Sequence, residues 1–178
     1  MKIVAIGSTL LDIEIGCSNT LQKFVKLGHS VSLVIPRDKH WKENQKIEQD
    51  DIGTKLKISN IYRVENFDYS KITQLNVNLI KSLIGRIKPS VAIIPFINNS
   101  DKMKKILAKS AILACRNVET ILMYENSKNS NFLPNVYLVT NNKRPHYLQK
   151  IYANKLGISQ PVEAFESQRL ILLQNDLF

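Results

Sequence analysis

Short apolar runs alternate with stretches that have the spacing of amphipathic helices, and this alternation limits the chain to few fold classes. The first run, residues 3–6, ends at Gly7 and is too short for an independent helix, so it predicts a buried strand of a parallel sheet. A loop over residues 8–15, a helix over 17–27 that stops at Gly28, and a second strand over 30–36 follow. This order predicts two parallel strands joined by a right-handed crossover.

The same alternation continues along the rest of the chain. Further strands are predicted over residues 60–64, 91–95, 119–124 and 136–140. Helices are predicted over residues 39–57, 72–87, 145–156 and 162–172, and within 96–116, where the apolar face comprises Ile106, Leu107, Leu113 and Ala114. We therefore predict an α/β fold, a Rossmann-like open and mostly parallel sheet with helices on both faces, in a single domain spanning residues 1–178.

Composition excludes several classes of protein. Hydrophobic residues make up 44% of the chain and charged residues 22%, which argues against disorder. No apolar run approaches the ~20 residues that span a bilayer, and the first residues lack the features of a signal peptide, so we expect a cytoplasmic protein with no membrane span. The formal charge of +10 raises nucleic-acid binding as an alternative. The lysines are spread along the chain without a recognisable nucleic-acid module, so we do not expect a nucleic-acid partner.

Cysteines and histidines do not form a metal-binding pattern. Cys17 and Cys115 both fall in predicted helices, where buried thiols are expected rather than a disulfide or a metal site. His29, His40 and His146 do not have the spacing of a site made of two histidines and one carboxylate. Surface positions are therefore expected for His40 and His146.

Residues 5–17 carry the most specific motif, Ala-Ile-Gly-Ser-Thr-Leu-Leu-Asp-Ile-Glu-Ile-Gly-Cys. It resembles the opening of the PIG-L/LmbE family of zinc-dependent N-acetylglucosamine-conjugate deacetylases, which reads Ala-Ile-Gly-Ala-His-Pro-Asp-Asp-Ile-Glu-Leu-Gly-Cys. Shorter matches extend the likeness over almost the whole chain: Thr20-Leu21, Gly28-His29, and residues 88–91, 124–125, 132–137 and 162–166. The resemblance implies an LmbE-like fold.

The resemblance also assigns a site, in which most of the chemistry is replaced. The family's first metal histidine falls on Thr9, its general base on Leu11 and its metal aspartate on Asp12. In the second loop, the oxyanion histidine falls on Asp101 and the last metal histidine on Lys104. A catalytic zinc needs about three protein ligands, and leucine cannot accept a proton. Asp12 is the only matching ligand, so we predict that the chain has no zinc cofactor and that no catalytic residue of the family survives.

These replacements predict a degenerate PIG-L/LmbE-like protein, a pseudoenzyme without zinc-dependent deacetylase activity. It would act as a sugar-conjugate-binding protein or as a partner or scaffold, with Thr9, Leu11, Asp12, Asp101 and Lys104 lining the relic pocket. The alternative is a hydrolase that removes N-acetyl groups from amino-sugar (N-acetylglucosamine) conjugates through a remodelled site. The expected partners are an amino-sugar conjugate or another protein, and a homo-oligomer is left open.

Three lysines are expected in the first turn of the helix that follows the fourth strand. Lys102, Lys104 and Lys105 would oppose the helix dipole there. One hypothesis is that the ammonium of Lys104 pairs with Asp12 and takes the place of a divalent cation. The alternative is that these lysines point into solvent.

Overall fold

The structure, a computed structural model, describes residues 1–37, 56–58, 60–125, 131–140 and 146–169. The strands are β1 (Lys2–Ile6), β2 (Ser30–Pro36), β3 (Asn60–Val64), β4 (Val91–Pro95), β5 (Thr120–Tyr124), β6 (Val136–Val139) and β7 (Val162–Arg169). The helices are α1 (Leu10–Lys26), α2 (Gln74–Ile87), α3 (Lys102–Ala114) and α4 (Tyr147–Leu156). Most bounds lie within a few residues of those predicted from the sequence, because the apolar periodicities end at glycine, proline or a capping residue.

The strands form one sheet in the order β3-β2-β1-β4-β5-β7-β6. β1 pairs in parallel with β2 and with β4, β2 pairs in parallel with β3, and β4 with β5. β7 runs antiparallel to both β5 and β6. Because β1 and β4 are neighbours, the loops that follow them leave the same edge of the sheet side by side. Ligands of open α/β sheets bind at this edge.

Helices cover both faces of the sheet, as predicted. α1 packs on one face, where Leu10, Ile13 and Leu21 join a cluster that also contains Leu56 and Ile58. α2, α3 and α4 pack on the other face around a second cluster. Among the described residues no helix is long and apolar enough to cross a membrane. The fold is therefore the predicted α/β sheet enclosed between two helical layers.

In two helices that are present, a detail of the prediction was wrong. α1 begins at Leu10 and not at residue 17, because the Thr9 hydroxyl accepts a hydrogen bond from the Asp12 backbone N–H at 3.1 Å and caps the helix. The helix is interrupted at Cys17, whose φ is −153°. In α3, Leu113 was expected inside but is 52% exposed. The predicted exposed helix over 39–57 lies almost entirely outside the described residues.

The final segment is a strand rather than the predicted helix. Residues 162–165 are all buried, since β7 lies inside the sheet between β5 and β6. Val162 and Ala164 face one core cluster and Phe165 faces the other, which is the period of two of a strand. A strand buried on both faces lacks the polar alternation that distinguishes it from a helix in the sequence.

Candidate functional site

The candidate site lies where α1 and α3 begin, just beyond the ends of β1 and β4. Thr9 caps α1, and Asp101 caps α3 by accepting hydrogen bonds from the backbone N–H groups of Met103 (2.8 Å) and Lys104 (3.2 Å). Side-chain caps of this kind satisfy N–H groups that have no partner within the helix. Both caps hold the first turns in place, and the first turns carry Asp12 and Lys104.

An ion pair joins the two helices at this point. The Lys104 Nζ lies 2.9 Å from the Asp12 Oδ1, and the side chains are 21% and 8% exposed. The Ser8 hydroxyl donates a hydrogen bond to the other carboxylate oxygen, Oδ2. The contact between Asp12 and Lys104, one of the two hypotheses for these lysines, is therefore present, and each oxygen of the carboxylate has a partner.

The five predicted site residues have different roles in the structure. Asp12 and Lys104 touch each other, whereas Thr9 and Asp101 are exposed and cap the helices that carry the pair. Leu11 is 56% exposed at the start of α1. Its side chain has no group that could take or give a proton.

The donor set does not fit a zinc ion. No group of three or more histidine, cysteine, aspartate or glutamate side chains within the described ranges is placed to hold a metal. The one carboxylate at the predicted position is already paired with an ammonium, and a divalent cation beside Lys104 would meet a like charge. Thr9, Leu11 and Lys104 are not ligands that zinc prefers.

Sequence reasoning missed Ser8 as a member of the site. Its hydroxyl reaches Asp12 because the chain turns into α1 between the two residues. The sequence did contain a signal for this hydrogen bond. A hydroxyl stands four residues before a carboxylate at the start of a helix, and local hydrogen bonds form at such short spacings.

A second carboxylate, Glu125, lies at the end of β5. It is 5% exposed and accepts a hydrogen bond from the hydroxyl of Tyr152 in α4. Glu125 directly follows β5, and its partner comes from α4, a helix that the sequence does not connect to it.

A third buried carboxylate anchors α1 from β7. Glu163 is 2% exposed and accepts hydrogen bonds from the backbone N–H groups of Asn19 (3.0 Å) and Thr20 (2.9 Å). The Thr20 hydroxyl and the side-chain amides of Asn19 and Gln149 also donate to it. Burial raises the pKa of Glu163, and the hydrogen bonds from Thr20 and Asn19 oppose that shift. The residue fixes the position of α1 and hence of the site at its start.

The sheet order and the helix pairs at the strand ends define an LmbE-like α/β fold. Among solved structures, the conserved protein TT1542 from Thermus thermophilus matches with a TM-score of 0.81 at 16% identity, over 96% of this chain and 95% of that chain. The N,N'-diacetylchitobiose deacetylase from Pyrococcus horikoshii, in complex with its inhibitor MPG, matches with a TM-score of 0.73 at 16% identity, over 99% and 88%. No protein-family profile and no curated protein matches the sequence.

One protein of the same fold has a name that indicates a reaction other than deacetylation. The 4-carboxy-2-hydroxymuconate hydratase from Pseudomonas putida matches with a TM-score of 0.72 at 9% identity, over 98% of both chains. At these identities the likeness shows the fold alone. The function of this chain has to be argued from the residues at its own site.

Proposed function

We propose that this chain is a non-catalytic protein on a deacetylase-like fold, which binds a sugar conjugate at the ends of β1 and β4 and does not carry out metal-dependent deacetylation. The ion pair between Lys104 and Asp12, at 2.9 Å, is the observation that carries the proposal. It fills the position at which the resemblance to the zinc-dependent family would require a metal ligand.

The chemistry at the site supports binding rather than hydrolysis. Hydrolysis of an amide needs a base for the attacking water and a stabilised oxyanion. The Asp12 carboxylate is engaged by Ser8 and Lys104, and Leu11 has no proton acceptor. Asp101 accepts hydrogen bonds from two backbone N–H groups of α3, so its carboxylate serves as the cap of that helix. A remodelled hydrolase built on these residues is therefore the less favoured alternative.

Two features support a sugar conjugate as the ligand. Ser8, Asp12 and Lys104 bring a hydroxyl, a carboxylate and an ammonium together at a sheet edge, and such groups exchange hydrogen bonds with sugar hydroxyls and amides. The similarly folded protein from Pyrococcus horikoshii is by its name a deacetylase of N,N'-diacetylchitobiose.

The first test measures zinc content and deacetylation in the same preparation of the full chain. We expect zinc well below one ion per chain and no acetate release from N-acetylglucosamine or N,N'-diacetylchitobiose. The deacetylase from Pyrococcus horikoshii, assayed in parallel, is the positive control. Stoichiometric zinc together with turnover would overturn the proposal.

The second test measures binding of the same two sugars by calorimetry. We expect binding to the wild-type chain and a loss in Asp12→Asn, because the substitution removes the charge that positions Lys104. The matched control is Glu119→Gln, which removes an exposed carboxylate next to the opposite end of β5. A folded wild-type chain that binds neither sugar nor any other amino-sugar conjugate would contradict the proposal.

A further inference from the structure

The two neighbouring helices α2 and α3 contain no acidic residue. Together they carry six cationic residues: Lys81, Arg86, Lys102, Lys104, Lys105 and Lys109. On the other face of the sheet, α1 carries two acidic and two basic residues, which are Asp12, Glu14, Lys23 and Lys26. The positive charge of the helices is therefore concentrated on the face that α2 and α3 cover, although the lysines are spread along the sequence.

Most of the cations of α3 lie along one side of the helix. Lys102, Lys105 and Lys109 follow one another at intervals of three and four residues, which places them on one stripe. Leu113, four residues further on, continues the stripe and is 52% exposed. The buried residues of α3 pack on the core cluster beneath it, so the stripe faces away from the sheet.

The exposed cations of this face have no counter-ion within the described parts of the chain. Lys104 is paired with Asp12 and belongs to the candidate site. No ion pair is formed by the other five, Lys81, Arg86, Lys102, Lys105 and Lys109. Because like charges on one surface repel each other, an anionic surface that approaches this face lowers its electrostatic energy.

Exposed leucines stand among these cations. Leu75 in α2 is 57% exposed, and it lies about three turns before Arg86 on the same side of the helix. Leu113 has the corresponding place on the stripe of α3. A bilayer with anionic lipids offers a complement to both kinds of side chain, because its head groups attract lysine and arginine and its acyl boundary accepts leucine.

The composition of the face favours a lipid surface over a nucleic acid. Proteins read nucleic acids largely with arginine, and they stack aromatic side chains on unpaired bases. α2 and α3 contain one arginine, Arg86, and no aromatic residue. Leucines beside lysines are instead typical of helices that lie on a membrane.

We propose that the exposed face of α2 and α3 is a docking surface for a bilayer that contains anionic lipids. The chain lies on this surface, and the contact is independent of the ligand at the ends of β1 and β4. Each lysine or arginine near an anionic leaflet strengthens binding about fivefold, so the five exposed cations together suffice for reversible attachment.

The experiment measures how the full chain distributes between solution and sedimented vesicles at low salt. One set of vesicles contains phosphatidylcholine alone, and the other contains about one third phosphatidylserine in addition. We expect the chain to bind the anionic vesicles about tenfold or more tighter, and we expect this binding to weaken as salt is added. Equal binding to both sets, or binding to neither, would overturn the proposal.

Two matched double variants test where the charge has to be. Lys105→Gln/Lys109→Gln removes one exposed and one half-buried cation from the stripe of α3. Lys23→Gln/Lys26→Gln removes one half-buried and one exposed cation from α1. The first variant is expected to weaken binding to anionic vesicles about ten- to thirtyfold, and the second less than about threefold. An equal loss in both would show an effect of net charge and would overturn the assignment to this face.

A matched pair of leucine variants tests the apolar part of the contact. Leu113 and Leu27 are both 52% exposed, but Leu27 lies at the end of α1 on the other face. We expect Leu113→Ser to weaken binding to anionic vesicles about three- to tenfold, and Leu27→Ser to leave it unchanged. Unchanged binding of Leu113→Ser would overturn the lipid surface as the partner, because a contact through charge alone fits any polyanion.

A competition experiment separates a bilayer from a nucleic acid. The competitor is a single-stranded DNA of about twenty nucleotides, added at the same concentration of negative charge as the vesicles. We expect most of the chain to remain on the vesicles. Displacement of most of the chain by the DNA would identify a nucleic acid as the preferred partner and would overturn the proposal.

Discussion

Asp12 is the acidic member of the ion pair at the candidate site. Its carboxylate is 8% exposed and has Ser8 on one oxygen and Lys104 on the other. It also lies in the first turn of α1, where the helix dipole favours a negative charge. The carboxylate therefore holds the ammonium of Lys104 at the ends of β1 and β4.

Lys104→Ala is expected to destabilise the protein by about 1–3 kcal/mol, because it leaves a mostly buried carboxylate with a lost partner. The estimate is below that for a fully buried pair, since Lys104 is 21% exposed. Urea unfolding measures the effect. Lys102→Ala is the control and should change the free energy of unfolding by less than about 0.5 kcal/mol, because Lys102 is exposed. Equal effects of the two substitutions would show that the pair contributes no stability.

Gly16 is a second single residue that the fold requires. A Cβ at this position would lie 2.1 Å from the ring atom Cδ2 of Tyr124. That ring is fully buried, and its hydroxyl donates a hydrogen bond to the Ile6 carbonyl at 3.1 Å. The glycine therefore lets α1 approach β5 closely.

Gly16→Ala is expected to cost about 1–3 kcal/mol through overpacking against Tyr124. Gly85→Ala is the matched control, since a Cβ there meets nothing within 4 Å in α2. The control should be neutral or stabilise the helix by up to about 1 kcal/mol. Thermal unfolding of both variants would contradict the prediction if Gly16→Ala were as stable as Gly85→Ala.

A residue of β7 binds α1 just after the point at which that helix is interrupted. The break at Cys17 leaves the N–H groups of Asn19 and Thr20 without helical acceptors, and Glu163 accepts both. Gln149 of α4 donates to the same carboxylate at 3.2 Å. One side chain of the sheet thus joins two helices.

Glu163→Ala is expected to destabilise the protein by about 2–4 kcal/mol, because one buried and one partly buried backbone donor lose their acceptor. Glu163→Gln should cost less, since it keeps one acceptor oxygen. Glu166→Ala serves as the control: this residue accepts a single hydrogen bond, from the Leu133 N–H, at a partly exposed position. Chemical denaturation at neutral pH measures all three. A loss in Glu166→Ala as large as that in Glu163→Ala would argue against the special role of Glu163.

The pKa of Glu163 gives this contact a pH dependence. Burial raises the pKa in the folded state above that of the unfolded chain, so the folded state binds the proton more readily. The contribution of this group to stability is full below its unfolded pKa and is lost as the pH rises through its raised folded pKa. The wild-type chain should therefore lose stability relative to Glu163→Gln over that window. Parallel pH titrations of the two free energies of unfolding would refute this if the curves stayed a constant distance apart.

At the scale of the whole molecule, the sheet brings together residues from two distant units of the chain. Thr9, Leu11 and Asp12 follow β1, and Lys104 follows β4. These strands pair in parallel, with Ala5 opposite Ile93. The loops after these two strands therefore meet at one edge of the sheet.

The triple substitution Thr9→His, Leu11→Asp and Lys104→His should restore a donor set that holds about one zinc ion per chain. The double substitution Thr9→His and Leu11→Asp, with Lys104 retained, is the control. It should bind zinc more weakly, because the ammonium still pairs with Asp12 and repels a cation. Metal analysis after dialysis measures both. Equal zinc contents would show that Lys104 does not hinder zinc binding at this site.

The order of most strands and helices and the enclosed sheet could be predicted from the amino-acid sequence. These features depend on local periodicity, on capping residues and on the chemistry of single side chains, all of which a sequence displays. The start of α1 was misplaced because residues 8–15 have the pattern of a loop, although Thr9 caps a helix that starts at Leu10. β7 was misassigned because both its faces are buried.

The partner of each polar side chain could be read only from the folded structure. The pairing of Asp12 with Lys104 had been one of two open hypotheses, and the attachment of Glu163 to α1 and α4 had no signal in the sequence. Such contacts join residues that are far apart along the chain, and their geometry follows from strand register and helix packing rather than from local pattern. At the candidate site, those contacts bring the Asp12 carboxylate and the Lys104 ammonium together.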